Sequence, residues 1–514
     1  MTSRSVLLVA AAAVLTGCFL VRRVRVDEVR APVRDSVQVK TAVKAHLLDG
    51  STVLYSNGVV VRQDRLVGAG QRYGLRLQFV EVVQSIPVDS VVGMESFRPA
   101  TDAIATVGLT FVATTLGAAA VTAAAAAIFG SCPTFYADSA GTPVLEAEGF
   151  SYSIAPLFEA HDVDRLRARV GSDGTVRLEV RNEALETHYI NRLELIESLH
   201  GVSEVVVPSP GGHPLAVSDL VPPVRARDRS GHDLAGLLAA ADGATFASDT
   251  ALLARAAPDD HQDYLDLVFP PALEGDSVAL VFRLRNSLLN TVLLYDVMLG
   301  SRGGRALDWQ ADTLARVGKA LELGAWYSSR MGLRVLLSEE RGFREVGRIR
   351  DTGPIAWKDV AVTVPAAPGD SVRVRLVFPT DNWRIDRIAL ARHVRHPPTR
   401  TLPLSQVEGD GGAADTRALE ALRQGDREYL ETRPGQWFTA VWDVGAEPGD
   451  SGRTWFLASQ GYYTEWIRGG WLATGSDTTS FAPTDASLVQ AMRQWRGVRD
   501  SLEARFYASR IPVR

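Results

Sequence analysis

Val176-Arg177-Leu178-Glu179-Val180 alternates apolar and charged side chains, and Arg192-Leu193-Glu194-Leu195-Ile196 does so again after a stretch, 182–191, long enough for a reversal. Successive side chains of a strand point to opposite faces, so such alternation predicts a sheet with one face on a core and one face wet. These two runs set the reading of the chain as mainly β. Working outward, Ser131-Cys132-Pro133-Thr134-Phe135-Tyr136, a turn over 138–141 and Val144-Leu145 predict a hairpin before them. Beyond them the β pattern resumes at Tyr264 and continues through 278–284, 332–337, 360–364 and 372–378 to Trp383-Arg384-Ile385-Asp386-Arg387-Ile388. Gly275-Asp276 and Gly369-Asp370 each precede a strand, and this spacing of strands and turns predicts a β-sandwich of jelly-roll type.

Other segments carry different signals. Residues 33–102 read as a small β-barrel-like module of SH3 or Sm type: Val37, Val39, Ala42 and Leu47 begin an apolar pattern, Val53-Leu54-Tyr55 follows, and Val59-Val60-Val61, Leu75-Arg76-Leu77 and Ile86-Pro87-Val88 supply further short strands. Asp49-Gly50 and Asn57-Gly58 mark its turns, because both pairs tolerate positive φ. Residues 207–262, rich in Pro, Gly, Asp and Ala, read as a linker or insertion with a short helix at 234–241. A helix beside the sandwich is expected over 307–327, loop over 403–427, and strands over 437–441 and 454–458. Leu488, Met492, Trp495, Val498, Leu502 and Phe506 recur every three or four residues and predict a closing amphipathic helix.

Residues 103–130 contain no charge over a length that could cross about 30 Å of hydrocarbon, yet much of the segment is Ala, Thr and Gly. Each strongly apolar residue gains only about 0.5 kcal/mol on insertion, so the balance is small. A membrane-inserted helix is the preferred reading, against a helix buried in the protein or lying on the bilayer. The domain plan is then signal peptide 1–17, tether 18–32, module 33–102, apolar helix 103–130, β domain 131–206, linker or insertion 207–262, β-sandwich 263–402, and a β segment with the closing helix over 403–514.

The amino terminus has a short positive region at Arg4, an apolar run over 6–14 and small residues after it, the parts of an export signal. Leu15-Thr16-Gly17-Cys18 resembles the lipobox of bacterial lipoproteins. The resemblance implies cleavage before Cys18, acylation of that residue, and a cell-envelope location with the membrane as partner. Several acyl chains on one residue would give an anchor that a single chain does not. Phe19, which is not the aspartate of inner-membrane retention, tilts the expectation to the outer membrane; a true crossing by 103–130 would instead require the inner one and return the rest of the chain to the cytoplasm. The only other cysteine is Cys132, so no disulfide framework is expected.

The pieces Ser131-Cys132-Pro133-Thr134-Phe135-Tyr136, Val180-Arg181-Asn182-Glu183, Arg283-Leu284-Arg285-Asn286-Ser287 and Gly461-Tyr462-Tyr463-Thr464-Glu465-Trp466-Ile467-Arg468 resemble uncharacterised bacterial envelope proteins with a cysteine-proline hairpin followed by β-sandwich segments. That resemblance implies architecture and a non-enzymatic role, and it transfers no catalytic residue.

The chain has 514 residues, a formal charge of −5, 46% hydrophobic and 22% charged residues. These values fit an ordinary globular protein and leave no basic footprint for nucleic acid. No Gly-x-Ser-x-Gly elbow, phosphate-binding Gly-Lys loop or His-Glu-x-x-His helix occurs, so neither a catalytic residue nor a cofactor is implied. His393 and His396 lack a third ligand at fixed spacing, and Asp259, Asp260, Asp263 and Asp266 lack a calcium-loop pattern, so no metal site is expected. The aromatic concentration of Trp437, Trp442, Trp455, Tyr462, Tyr463, Trp466 and Trp471 offers the remaining candidate site. Exposed on a sandwich, such rings would stack on sugars or anchor an envelope protein; packing between sheet and helix is the preferred reading. The expected function is therefore a non-catalytic, membrane-anchored binding or scaffolding module, with carbohydrate binding or glycan processing as the alternative.

Overall fold

The computed structural model describes residues 22–28, 36–47, 49, 51–74, 79–101, 132–139, 141–184, 186–271, 278–306, 309, 316–365, 371–409, 412–426, 428–445, 452–466 and 484–506. Cys18, Trp471 and the apolar segment 103–130 lie outside these residues. No helix among the described residues is long and apolar enough to cross a membrane.

The chain is mainly β, beginning with a curled eight-stranded sheet. Its strands are β1 (Arg22–Glu28), β2 (Val37–Val39), β3 (Ala42–Leu47), β4 (Thr52–Tyr55), β5 (Val59–Val61), β6 (Arg65–Tyr73), β7 (Phe79–Pro87) and β8 (Val91–Thr101). Their order is β1-β8-β3-β4-β6-β5-β2, with β7 on β6. Gly58 turns at φ +87°, as the Asn-Gly pair requires. Val43, Ala45, Val53, Tyr55, Val61 and Leu66 fill the concave side. Part of the expected tether is here a strand: β1 pairs along its length with β8, from Arg22 opposite Thr101 to Glu28 opposite Glu95.

Two pairs of five-stranded sheets follow. In the first pair one sheet runs β10 (Thr142–Glu148), β9 (Thr134–Ser139), β12 (Thr175–Arg181), β27 (Trp437–Asp443), β25 (Gln406–Glu408). The other runs β11 (Ala160–Leu166), β28 (Gly452–Glu465), β13 (Glu186–His200), β24 (Thr399–Pro403), with β26 (Leu430–Thr432) also on β13. Val176, Leu178 and Val180 face Leu193, Leu195, Trp455 and Leu457 in one core, as the alternation predicts.

The second pair places β14 (Val205–Pro208), β15 (Pro214–Val221), β23 (Trp383–Arg395), β18 (Val278–Asn286) and β21 (Lys358–Val364) in one sheet. Its companion holds β16 (Arg225–Asp228), β17 (Gln262–Pro271), β22 (Ser371–Pro379), β19 (Leu333–Glu339) and β20 (Gly342–Ile349). Leu265, Phe269, Leu280, Phe282, Leu376 and Trp383 are among the side chains buried between them.

This pairing cuts across the boundaries drawn from sequence. Strands β9–β13 and β24–β28 share the first sandwich, and everything from β14 to β23 is inserted between them. The presumed linker 207–262 supplies strands β15 and β16 and most of the turns between them, and its expected helix at 234–241 is a series of turns. There the Leu234 N–H bonds back to Ala226 O and Phe246 exchanges backbone bonds with Ile385, while Leu238 N–H to Leu234 O makes a single helical turn between them.

Helices fill the junction. A buried run, Leu289–Thr291 continuing into a π-helical Val292–Leu299, was not foreseen; it is covered on nearly all sides and so carries no amphipathic period. The expected helix near 307–327 lies at Val317–Arg330 within the described residues. A short helix, Thr416–Arg423, interrupts the expected loop, capped by Asp415 accepting from Ala418 N. The closing helix Asp485–Phe506 packs its stripe of Leu488, Met492, Trp495, Val498 and Leu502 into the same core as the first sandwich.

Candidate functional site

A cavity of about 320 Å³ opens where the first sandwich, the buried helical run, the helix Val317–Arg330 and the loop after β20 meet. Its walls are chiefly apolar and aromatic, with Ile154, Phe158, Leu293, Leu294, Met298 and Leu323 prominent. Volume and lining match those of small-molecule pockets.

The loop 351–356 is held rigidly on one side. The Asn286 carboxamide oxygen accepts from the Thr352 backbone N–H at 2.7 Å and the Asn286 N–H donates to Gly353 O at 2.9 Å. Glu148, fully buried on β10, accepts from the backbone N–H groups of Ile355 and Ala356 at 2.7 and 3.0 Å. Gly353 turns here at φ +80°, and a Cβ would come within 2.6 Å of the Glu148 carboxyl, so no other residue fits without rearrangement.

That loop delivers Asp351 to the cavity wall. Asn290 donates from Nδ2 to Asp351 Oδ2 at 2.6 Å, and the Tyr327 hydroxyl donates to the same oxygen. Burial pushes the Asp351 carboxyl up to about 6, against the pull of the Tyr327 hydroxyl and the nearby Gly353 and Thr352 amides. Burial also holds the Tyr327 phenol well above its ordinary value, with the Asp351 charge adding to the effect.

Across the cavity stand Tyr295 and Tyr463. Tyr463 donates to Ser151 O at 3.0 Å. The Tyr295 hydroxyl contacts Glu465 and lies 3.3 Å from Glu186 Oε1. Glu186 and Glu465 are directly opposite each other on β13 and β28, and both are fully buried. His188 Nε2 sits 3.4 Å from Glu186 Oε2, but burial pushes this imidazole down to about 3 and keeps it neutral. No group of three or more His, Cys, Asp or Glu side chains suited to a metal ion occurs among the described residues.

The aromatic residues singled out in the sequence do not form one surface. Trp442, Trp455, Tyr462 and Tyr463 are buried, at 0%, 4%, 1% and 2% exposure, which corrects their candidacy as stacking residues for a ligand arriving from solvent. Trp442 and Trp455 fill the first sandwich, and Arg453 covers the Trp455 ring at 4.5 Å. Tyr462 stacks on Tyr189 at 4.6 Å under the edge of Tyr429. Among the described members of the set, Tyr463 alone reaches the cavity. Trp466 is half-buried: it stacks on His46 of the N-terminal sheet at 4.8 Å and donates from Nε1 to Thr187 Oγ1. Trp437, also half-buried, begins β27 away from that contact.

The other sequence candidates also separate. His393 and His396 are exposed. Asp260 pairs with Arg229 at 2.8 Å and Asp266 with Arg375 at 2.7 Å, while Asp263 is buried and its carboxyl is raised by that burial. The residues that do converge, Asp351, Asn290 and Tyr327, carry no motif in the sequence. Arg350-Asp351-Thr352-Gly353-Pro354 announces only a turn.

No family model matches the chain, and no curated protein matches it. Among solved structures, the GH31 alpha-xylosidase of Xanthomonas citri aligns at 12% identity over 84% of this chain and 38% of its own, with a TM-score of 0.15. The structure of infectious bursal disease virus, Gx strain, aligns at 9% identity over 94% of this chain and 87% of its own, with a TM-score of 0.12. The chain thus spans well under half of the xylosidase, and superpositions this poor make neither protein a guide to fold or activity.

Proposed function

We propose that the protein is a non-catalytic binding module of the bacterial envelope, tethered to a membrane through acylated Cys18, and that its ligand is a small, largely apolar molecule held in the junction cavity. The observation that supports the ligand reading is the cavity itself: about 320 Å³ walled mainly by apolar and aromatic side chains, with a few fixed polar groups at one place. The lipobox residues Leu15-Thr16-Gly17-Cys18 support the tether. Trp442, Trp455, Tyr462 and Tyr463 are buried and offer glycan stacking no support, so carbohydrate binding is not carried further.

Titration with the fluorescent apolar dye N-phenyl-1-naphthylamine tests the ligand reading. Wild-type protein should bind it saturably with one site, and Leu294→Trp, which puts an indole into the cavity, should weaken binding on the order of tenfold or more. Binding that never saturates, or that Leu294→Trp leaves unchanged, would overturn it. Cys18→Ser tests the tether, which predicts loss of the protein from the membrane fraction.

A further inference from the structure

We propose that the cavity ligand is an amphiphilic amine, an apolar body ending in a protonated nitrogen that Asp351 and Asn290 receive. The inference rests on the reading of the cavity as the ligand site and adds the chemistry of the ligand's polar end.

The first ground is the direction of the hydrogen bonds in the wall. Because Asn290 donates through Nδ2 to Asp351 Oδ2, its amide orientation is settled and Oδ1 is the end left over. Tyr327 also donates to Asp351 Oδ2. Asp351 Oδ1 and Asn290 Oδ1 therefore accept from no described side chain and are shut off from bulk water, and only the Gly353 and Thr352 amides lie close to the Asp351 carboxyl on that side. Acceptors in this state are stabilised by an arriving donor and are made worse by another acceptor. An ammonium brings several N–H groups and no acceptor, and a charged donor on a carboxylate makes a stronger bond than a neutral hydroxyl does.

The second ground is charge. Glu148, Glu186 and Glu465 are fully buried around the same junction, and Glu148 is near enough to raise the Asp351 carboxyl further. Lys358, the buried lysine of this region, is neutralised by Asp162 and Asp164. Arg350 is the one cationic residue among the described residues of the lining, and it is exposed. With the Asp351 carboxyl in its wall and Arg350 turned to solvent, a low-dielectric recess favours a cation and opposes a carboxylate or phosphate. The aromatic faces of Tyr152, Phe158 and Tyr327 in the lining add to that preference.

Calorimetric titration with octylamine, octanol and octanoate, which share one apolar tail, decides the matter. At pH 7.5 the amine should bind on the order of tenfold more tightly than the alcohol, and the acid most weakly. In Asp351→Asn the amine should lose more affinity than the alcohol, so that the two converge. Should that variant fail to fold, Asn290→Leu, which removes the second acceptor, should weaken the amine about threefold relative to the alcohol. Equal binding of amine and alcohol, tightest binding of the acid, or an amine preference that survives these substitutions would overturn the inference. If octanol binds in a manner sensitive to Leu294→Trp but no amine preference exists, only the inference fails. If none of the three binds, the cavity reading fails with it.

Discussion

Lys358 shows how a single charge ties the two sandwiches together. It stands on β21 of the second, and its ammonium lies 2.5 Å from Asp162 and 3.0 Å from Asp164, both on β11 of the first. Burial opposes the lysine's charge, but the two carboxylates outweigh it and hold the proton on. Lys358→Met would leave two carboxylates without their cation, one of them buried, and should cost about 3–5 kcal/mol in urea denaturation at pH 7. Asp351 acts in the opposite sense. Its carboxyl is raised from 3.8 to about 6 in the folded chain, so the folded state holds a proton that the unfolded state has released between those values. Stability should therefore fall as pH rises through that window. Asp351→Asn should remove that part of the slope, as seen in denaturation midpoints measured from pH 4 to pH 7.

At the scale of the element, the closing helix is held by more than its apolar stripe. Trp495 donates from Nε1 to Asp381 Oδ2 at 2.7 Å, and Arg384 and Arg499 bind the same carboxylate at 2.8 and 3.1 Å. Asp381 is fully buried in a turn at φ +61° between β22 and β23, so the helix is keyed to the second sandwich while its stripe packs in the core of the first. Trp495→Ala should cost about 3–5 kcal/mol through lost packing. Trp495→Phe keeps most of the ring and gives up one bond to a charged acceptor, so about 1.5–3 kcal/mol is expected by the same denaturation measurement. The helix itself was readable because one face is apolar and the other polar; the run 289–299 was not, because burial on nearly all sides erases the period. Short Thr416–Arg423 had an N-cap signal in Asp415 but too few turns to establish a stripe.

For the molecule as a whole, the decisive feature is that the chain leaves the first sandwich after β13 and returns to it at β24. The core continues without a break from Phe135 and Val176 through Leu293 and Leu323 of the inserted segment to Trp442 and Trp495. Neither sandwich can lose its structure without exposing side chains that the other part covers. Residues 132–506 should accordingly unfold in one calorimetric transition, with equal calorimetric and van't Hoff enthalpies. A separate transition for the inserted strands β14 to β23 would contradict this continuity.

The alternation in Val176–Val180 and Arg192–Ile196, the Asn-Gly turn and the stripe of the closing helix determined the β class, the individual strands and the last element, because side-chain periodicity is a local property that burial on one face imposes. Which strands share a sheet is a different kind of fact. The partners β13 and β28 are separated by the whole inserted sandwich, and no local pattern encodes so distant a pairing. The cavity belongs to that second kind: Ser151, Asn290, Tyr327, Asp351 and Tyr463 come from five separate stretches and meet only when the sandwiches and helices close on one another.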